Sequence, residues 1–143
     1  ASVTIGNFAF NGCTSLSSVS LPSGLTKIGD KAFYNNTSLS SVTFGGNKLT
    51  EIGESAFGYC NALTEITLPE GLEVIGGGAF EQCNSLVTVN FPASLVEMGE
   101  NIFTFVDDDG YTKSCESLAE VNFSEGNPKY ASVDGVMYEK STE

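Results

Sequence analysis

The chain has 143 residues, 41% of them hydrophobic, and its charge is lopsided: 18 Asp and Glu against 6 Lys and no Arg, a net charge of −12. That length suits one domain, able to bury roughly 68–70% of its unfolded surface, and the apolar content argues against disorder. So acidic a chain is excluded as a phosphate-neutralising nucleic-acid binder and disfavoured at anionic membrane surfaces, while the absence of His removes the commonest general base and metal ligand together. Residues 1–26 carry no charge, but eleven of them are Ser, Thr or Asn, too polar for a membrane span. No basic stretch precedes an apolar run, so they are not a signal peptide either.

The chain repeats itself. Ile5-Gly6, Ile28-Gly29, Ile52-Gly53, Ile75-Gly76 and Met98-Gly99 open five copies at spacings of 23, 24, 23 and 23 residues. Each copy places a Phe five residues after its Ile or Met: Phe10, Phe33, Phe57, Phe80 and Phe103. A column of Cys13, Asn36, Cys60, Cys83 and Cys115 follows, then Leu16, Leu39, Leu63, Leu86 and Leu118. One such unit is too short to bury its own apolar face, so equivalent side chains must pile up between stacked coils.

Within a copy, Ile-Gly-x-x-Ala-Phe reads as one helical turn, with Asp30, Glu54 and Glu100 facing its positive end. The alternating Val19-Ser20-Leu21 and Ile66-Thr67-Leu68 read as short strands, expected to lie about 4.8 Å apart in one parallel sheet. Pro22, Pro69 and Pro92 end the strands, Gly45 and Ser124 being the departures. The fifth copy is interrupted by residues 104–113, where Asp109-Gly110 between apolar or β-branched flanks signals a hairpin. A second hairpin is expected over residues 127–140, around Asp134-Gly135.

The pattern Cys/Asn-x-x-Leu-x-x-Val/Ile-x-Leu/Phe-Pro-x-x-Leu-x-x-Ile-Gly-x-x-Ala-Phe resembles the BspA-type leucine-rich repeat, a 23-residue subclass of bacterial surface proteins. The resemblance covers residues 5 to about 123. It implies a right-handed leucine-rich-repeat solenoid of about five repeats, with short parallel strands on the concave face and short helical turns. It implies a non-enzymatic, adhesion-type module, at the cell surface or secreted, that binds a protein or host-surface ligand. A structural spacer without its own ligand is the alternative. Residues 1–143 are expected to form a single domain, with repeats over about 5–126, as part of a longer protein.

Four groups of residues are candidates for chemistry. The cysteines are expected to be free buried thiols, because Asn36 shares their column and stacked side chains point in parallel; a disulfide, a metal site and a nucleophile are the alternatives. Asp107-Asp108-Asp109-Gly110 lacks the alternating ligands of a calcium loop, which leaves a solvated tip or weak calcium binding. The outward strand columns Ser18, Ser41, Glu65, Thr88, Glu120 and Ser20, Thr43, Thr67, Asn90, Asn122 are the candidate concave binding face. Tyr34, Tyr59, Phe105 and Tyr111 form the alternative patch. No cofactor, metal site, catalytic residue, nucleic-acid partner or membrane insertion is expected. All five phenylalanines of the repeat column are expected in the core.

Overall fold

The computed structural model describes residues 2–106, 109, 112–133 and 136–139. Its strands in chain order are β1 (Val3–Ile5), β2 (Ser18–Leu21), β3 (Leu25–Ile28), β4 (Ser41–Phe44), β5 (Glu51–Ile52), β6 (Glu65–Thr67), β7 (Val74–Ile75), β8 (Thr88–Phe91), β9 (Glu97–Met98), β10 (Thr104–Val106), β11 (Thr112–Ser114), β12 (Glu120–Phe123), β13 (Tyr130–Val133) and β14 (Val136–Glu139). The chain winds as a β-solenoid with two parallel walls. The back sheet runs β1-β3-β5-β7-β9, and the front wall carries β2-β4 and β6-β8-β12. Register follows the repeat: Ile28 pairs with Ile52, Ile52 with Ile75, and Ile75 with Met98. The back sheet has no counterpart in the alternating pattern, because Leu25-x-x-Ile28 places its inward residues three apart rather than two.

The Phe column forms the spine. Successive rings stack at centroid distances of 5.3, 5.4, 5.8 and 5.9 Å from Phe10 to Phe103, with interplanar angles of 17° or less. Phe33, Phe57 and Phe80 are wholly buried, Phe103 is 6% exposed, and Leu39, Leu63 and Leu86 pack in the same cluster. Phe10 departs from the expected core at 42% exposure, because no coil among the described residues covers its outer face.

The Ile-Gly-x-x-Ala-Phe segments are not helical, and no helix occurs among the described residues. They are successive β-turns, closed for example by Ala32 N–H to Gly29 O and Tyr34 N–H to Lys31 O. A left-handed residue recurs in each copy: Phe8, Lys31, Ser55, Gly78 and Asn101, at φ between 53° and 66°. The alternate amides reach the next coil instead: Lys31 N–H to Glu54 O, Phe33 N–H to Ala56 O and Asn35 N–H to Gly58 O, at 2.8–2.9 Å. A helix would consume these donors internally, whereas the turns spend half of them on stacking the coils. Without a helix there is no dipole for the acidic residues to face. Asp30 Oδ1 accepts instead from Glu54 N–H at 2.9 Å, and Asn7 Oδ1 from Asp30 N–H at 2.8 Å.

The repeated Gly after Ile is dictated by how closely the coils approach. A Cβ on Gly29, Gly53, Gly76 or Gly99 would stand 2.2–2.6 Å from the backbone nitrogen of the preceding coil. Only a residue without a side chain fits there.

At the far end β10 pairs antiparallel with β11, and β13 with β14. Tyr130 stacks on Phe123 at 5.7 Å, and its Oη accepts from Met98 N–H at 3.1 Å. Buried Asn127 donates through Nδ2 to Pro92 O and Leu95 O and accepts at Oδ1 from Lys129 and Tyr130 N–H. One side chain thus ties the last turn of the solenoid to the segment that follows it.

Candidate functional site

The front wall is not the continuous parallel sheet that the repeat predicts. β4 pairs only with β2 and β6 only with β8, so no strand pairing joins β4 to β6 among the described residues. The cause lies in the second copy, which has 24 residues: five steps separate Phe44 from Leu49, where Leu21–Leu25, Leu68–Leu72 and Phe91–Leu95 take four. The extra residue falls in Gly45-Gly46-Asn47-Lys48, which leans back on the first coil. Gly45 N–H donates to Leu21 O at 3.0 Å, and a Cβ on Gly46 would meet Ser23 O at 2.8 Å. On the other side the regular ladder resumes, with Leu68 N–H donating to Asn90 O at 2.9 Å.

Between these strands lies an open groove of about 680 Å³. Four of the predicted binding residues line it: Ser41 and Thr43 from β4, Glu65 and Thr67 from β6. Ser40, Asn47, Thr64 and Glu70 add further polar groups. The lining carries two carboxylates and no cation. The groove was missed in the sequence although its signals, the 24-residue spacing and the Gly45 departure, were both visible there.

The other predicted front residues are distributed unevenly. Ser18, Ser20, Glu120 and Asn122 are exposed, while Thr88 and Asn90 are half-buried. Asn122 Nδ2 donates to Asn90 Oδ1, and Asn90 Nδ2 to Thr67 Oγ1, each at 3.0 Å. This ladder stiffens the β6-β8-β12 half and stops at the groove.

Of the alternative patch, Tyr34 and Tyr59 meet edge to face at 5.3 Å, with Lys31 Nζ 5.0 Å above the Tyr34 ring. Burial, and then the neighbouring Tyr59 and Glu81, push the Tyr34 hydroxyl above its ordinary pKa. Gly58 makes room for this pair, since a Cβ there would meet the Tyr34 ring at 2.9 Å. Tyr111 lies outside the described residues, as does the side chain of Phe105, so the structure describes this patch at Tyr34 and Tyr59. Asp107, Asp108 and Gly110 of the acidic tip also lie outside them.

The cysteine column is a hydrogen-bond ladder. The Sγ of Cys60, Cys83 and Cys115 donates to Phe33, Phe57 and Phe80 O at 3.1–3.4 Å, and Asn36 Nδ2 donates to Phe10 O at 2.9 Å. Cys and Asn interchange here because both bring a donor to the carbonyl of the preceding coil. Burial pushes the Cys60 thiol up to about 12 and Cys115 to about 11, and it raises Cys83 well above the ordinary value. The four cysteines are free, as expected, but Cys13 is exposed rather than buried. It stands on the first described coil, and its Sγ has no described carbonyl of an earlier coil beside it. Among the described residues no three His, Cys, Asp or Glu are grouped as a metal site, and no helix is long and apolar enough to cross a membrane.

Residues 1–107 match, in six copies, the family described as BspA type Leucine rich repeat region. Among solved structures the chain is similar to the leucine-rich repeat protein TpLRR of T. pallidum, at 39% identity and a TM-score of 0.74 over 83% of this chain and 51% of that one. It is also similar to a leucine-rich repeat protein of Bacteroides ovatus, at 32% identity and a TM-score of 0.63 over 82% and 34%. A third similar structure is the pneumococcal vaccine antigen PcpA, at 26% identity and a TM-score of 0.58 over 98% and 39%. The chain therefore spans about half of the first protein and little more than a third of the other two. No curated protein matches it significantly.

Proposed function

The chain belongs to the BspA-type leucine-rich repeat family, and from that premise we propose that it is a non-enzymatic binding module of a bacterial cell-surface or secreted protein, meeting a protein or host-surface ligand through its front wall. The observation that carries this reading is the interrupted sheet. The repeat builds a closed core that needs none of the front polar residues, yet these residues flank a groove open to solvent. The similarity to a protein described as a vaccine antigen supports a surface location. A non-catalytic role is supported by the lack of His and by buried thiols held in the neutral form.

The test is attachment of the purified chain to a panel of immobilised host proteins and glycans. Thr67→Lys and Asn90→Lys place cations on the front wall and should abolish attachment with the fold intact by circular dichroism. Attachment that survives both but is lost with Tyr34→Ala or Tyr111→Ala moves the site to the tyrosine patch. The spacer reading has one observation in its favour, that no Tyr, Trp or Arg anchor stands in the front columns. A chain that binds nothing on the panel decides for the spacer.

A further inference from the structure

The first described coil carries, on the side away from the second, the groups by which one coil receives another. We propose that this face, built from Gly6, Asn7, Ala9, Phe10, Asn11 and Cys13, seats a further coil of the same repeat, joined ahead of it in one polypeptide. The inference concerns a contact within the solenoid and does not rest on what the front wall binds.

The junctions between coils share one set of contacts. Gly29, Gly53, Gly76 and Gly99 donate their N–H to Ile5, Ile28, Ile52 and Ile75 O of the coil before, each at 2.8 Å. In the other direction, turn amides of the coil before reach three carbonyls, those of Asp30, Ala32 and Tyr34 in the second coil and of Glu54, Ala56 and Gly58 in the third. A side-chain donor in the Cys or Asn slot and a stacked Phe ring complete the set.

The first coil holds the same groups in the same slots. Among the described residues the carbonyls of Asn7, Ala9 and Asn11 accept no hydrogen bond, and Gly6 N–H and Cys13 Sγ donate none. Phe10 stacks on Phe33 and is 42% exposed. Gly6 is the sharpest mark. A Cβ there would meet nothing within 4 Å, yet the slot holds Gly, as in the four coils where a preceding backbone leaves no room for a side chain. Three acceptors two residues apart, flanked by two donors and set beside an aromatic ring, call for a partner with the complementary order. A coil of this repeat has that order at each junction described. Residues 1–26 carry no charge, so its arrival desolvates no ion on the face.

The experiment replaces residues 1–2 with a copy of residues 50–72, bearing Cys60→Ser in that copy, and follows the reaction of Cys13 with a disulfide reagent. Cys13 should react at least about a hundredfold more slowly than in the unextended chain, as a thiol reached only through local opening does. Gly6→Leu is the control. The unextended variant should keep its circular dichroism and its reactive Cys13, because that site is open. In the extended chain the same change should block seating and leave Cys13 reactive. The proposal is overturned if Cys13 stays reactive behind the copy, if Gly6→Leu makes no difference there, or if a scrambled copy protects it equally. It is also overturned if Cys13 of the unextended chain becomes protected as protein concentration rises, which makes a second copy the occupant. The reading frame ahead of Ala1 is the last check. It should place Gly 23 or 24 residues before Gly6 and Phe as far before Phe10, the spacings of the other coils, and a frame without them removes the proposed occupant.

Discussion

The first coil and the third carry nearly the same residues and live in different worlds. Gly6 and Gly53, Phe10 and Phe57, Cys13 and Cys60 are column equivalents. A Cβ on Gly53 would strike Asp30 N at 2.6 Å, while one on Gly6 would meet nothing within 4 Å. Phe57 is wholly buried between two rings, and Phe10 is 42% exposed with one. The Cys60 thiol donates to the carbonyl of the coil before it, and Cys13 is exposed. In a solenoid, burial belongs to the stack and not to the residue, so one amino acid in one repeat slot has two energies. The other end shows the same rule from the opposite side. There Tyr130 stacks on Phe123 and Asn127 bonds Leu95 O, while Phe103, which meets both Phe80 and Phe91, is only 6% exposed.

The sharpest way to break this contrast is to delete a ring. Phe57→Ala should cost about 3–5 kcal/mol, transfer and cavity together, whereas Phe10→Ala leaves no enclosed cavity and should cost about 1 kcal/mol. Urea melts of the two variants decide it, and equal losses would mean that the stack does not set the energy. Next come the glycines. Gly53→Ala should cost about 1–3 kcal/mol by forcing coils apart, and Gly6→Ala close to nothing, read from the same melts.

The gentlest probe is chemical. Native protein should give one thiol equivalent to a disulfide reagent, from Cys13, and four after denaturation. Alkali should then expose the other three. The folded thiols titrate above the ordinary 9.0, Cys60 near 12 and Cys115 near 11. Their contribution to stability is therefore whole below pH 9 and is lost as pH rises from 9 toward 12, where only the unfolded chain ionises readily. Melting temperature should fall over that window, and less steeply in Cys60→Asn. A flat profile would refute the buried thiol ladder.

Much of this was legible in the repeat. The period names the solenoid, the Phe and Leu columns name its core, and Asn36 among cysteines already marks a slot that holds a small donor rather than a bridge. The turns were misread as helical because apolar residues four and five apart suit a helix as well as a winding coil, and only the left-handed φ values separate the two. The back sheet escaped because its strands are two to four residues long and lack the alternation that marks a strand.

The front groove divides along the same line. The sequence alone determined that Ser41, Thr43, Glu65 and Thr67 would stand outward on neighbouring strands, since the two-residue period of a strand leaves no other face for them. It also contained the extra residue before Leu49. Whether the coil would absorb that residue in its loop or open the sheet was decided by tertiary structure. The second copy keeps its ladder to the first coil through Gly45 N–H and Leu21 O and makes no pairing with β6, which leaves β6 to pair with β8 alone.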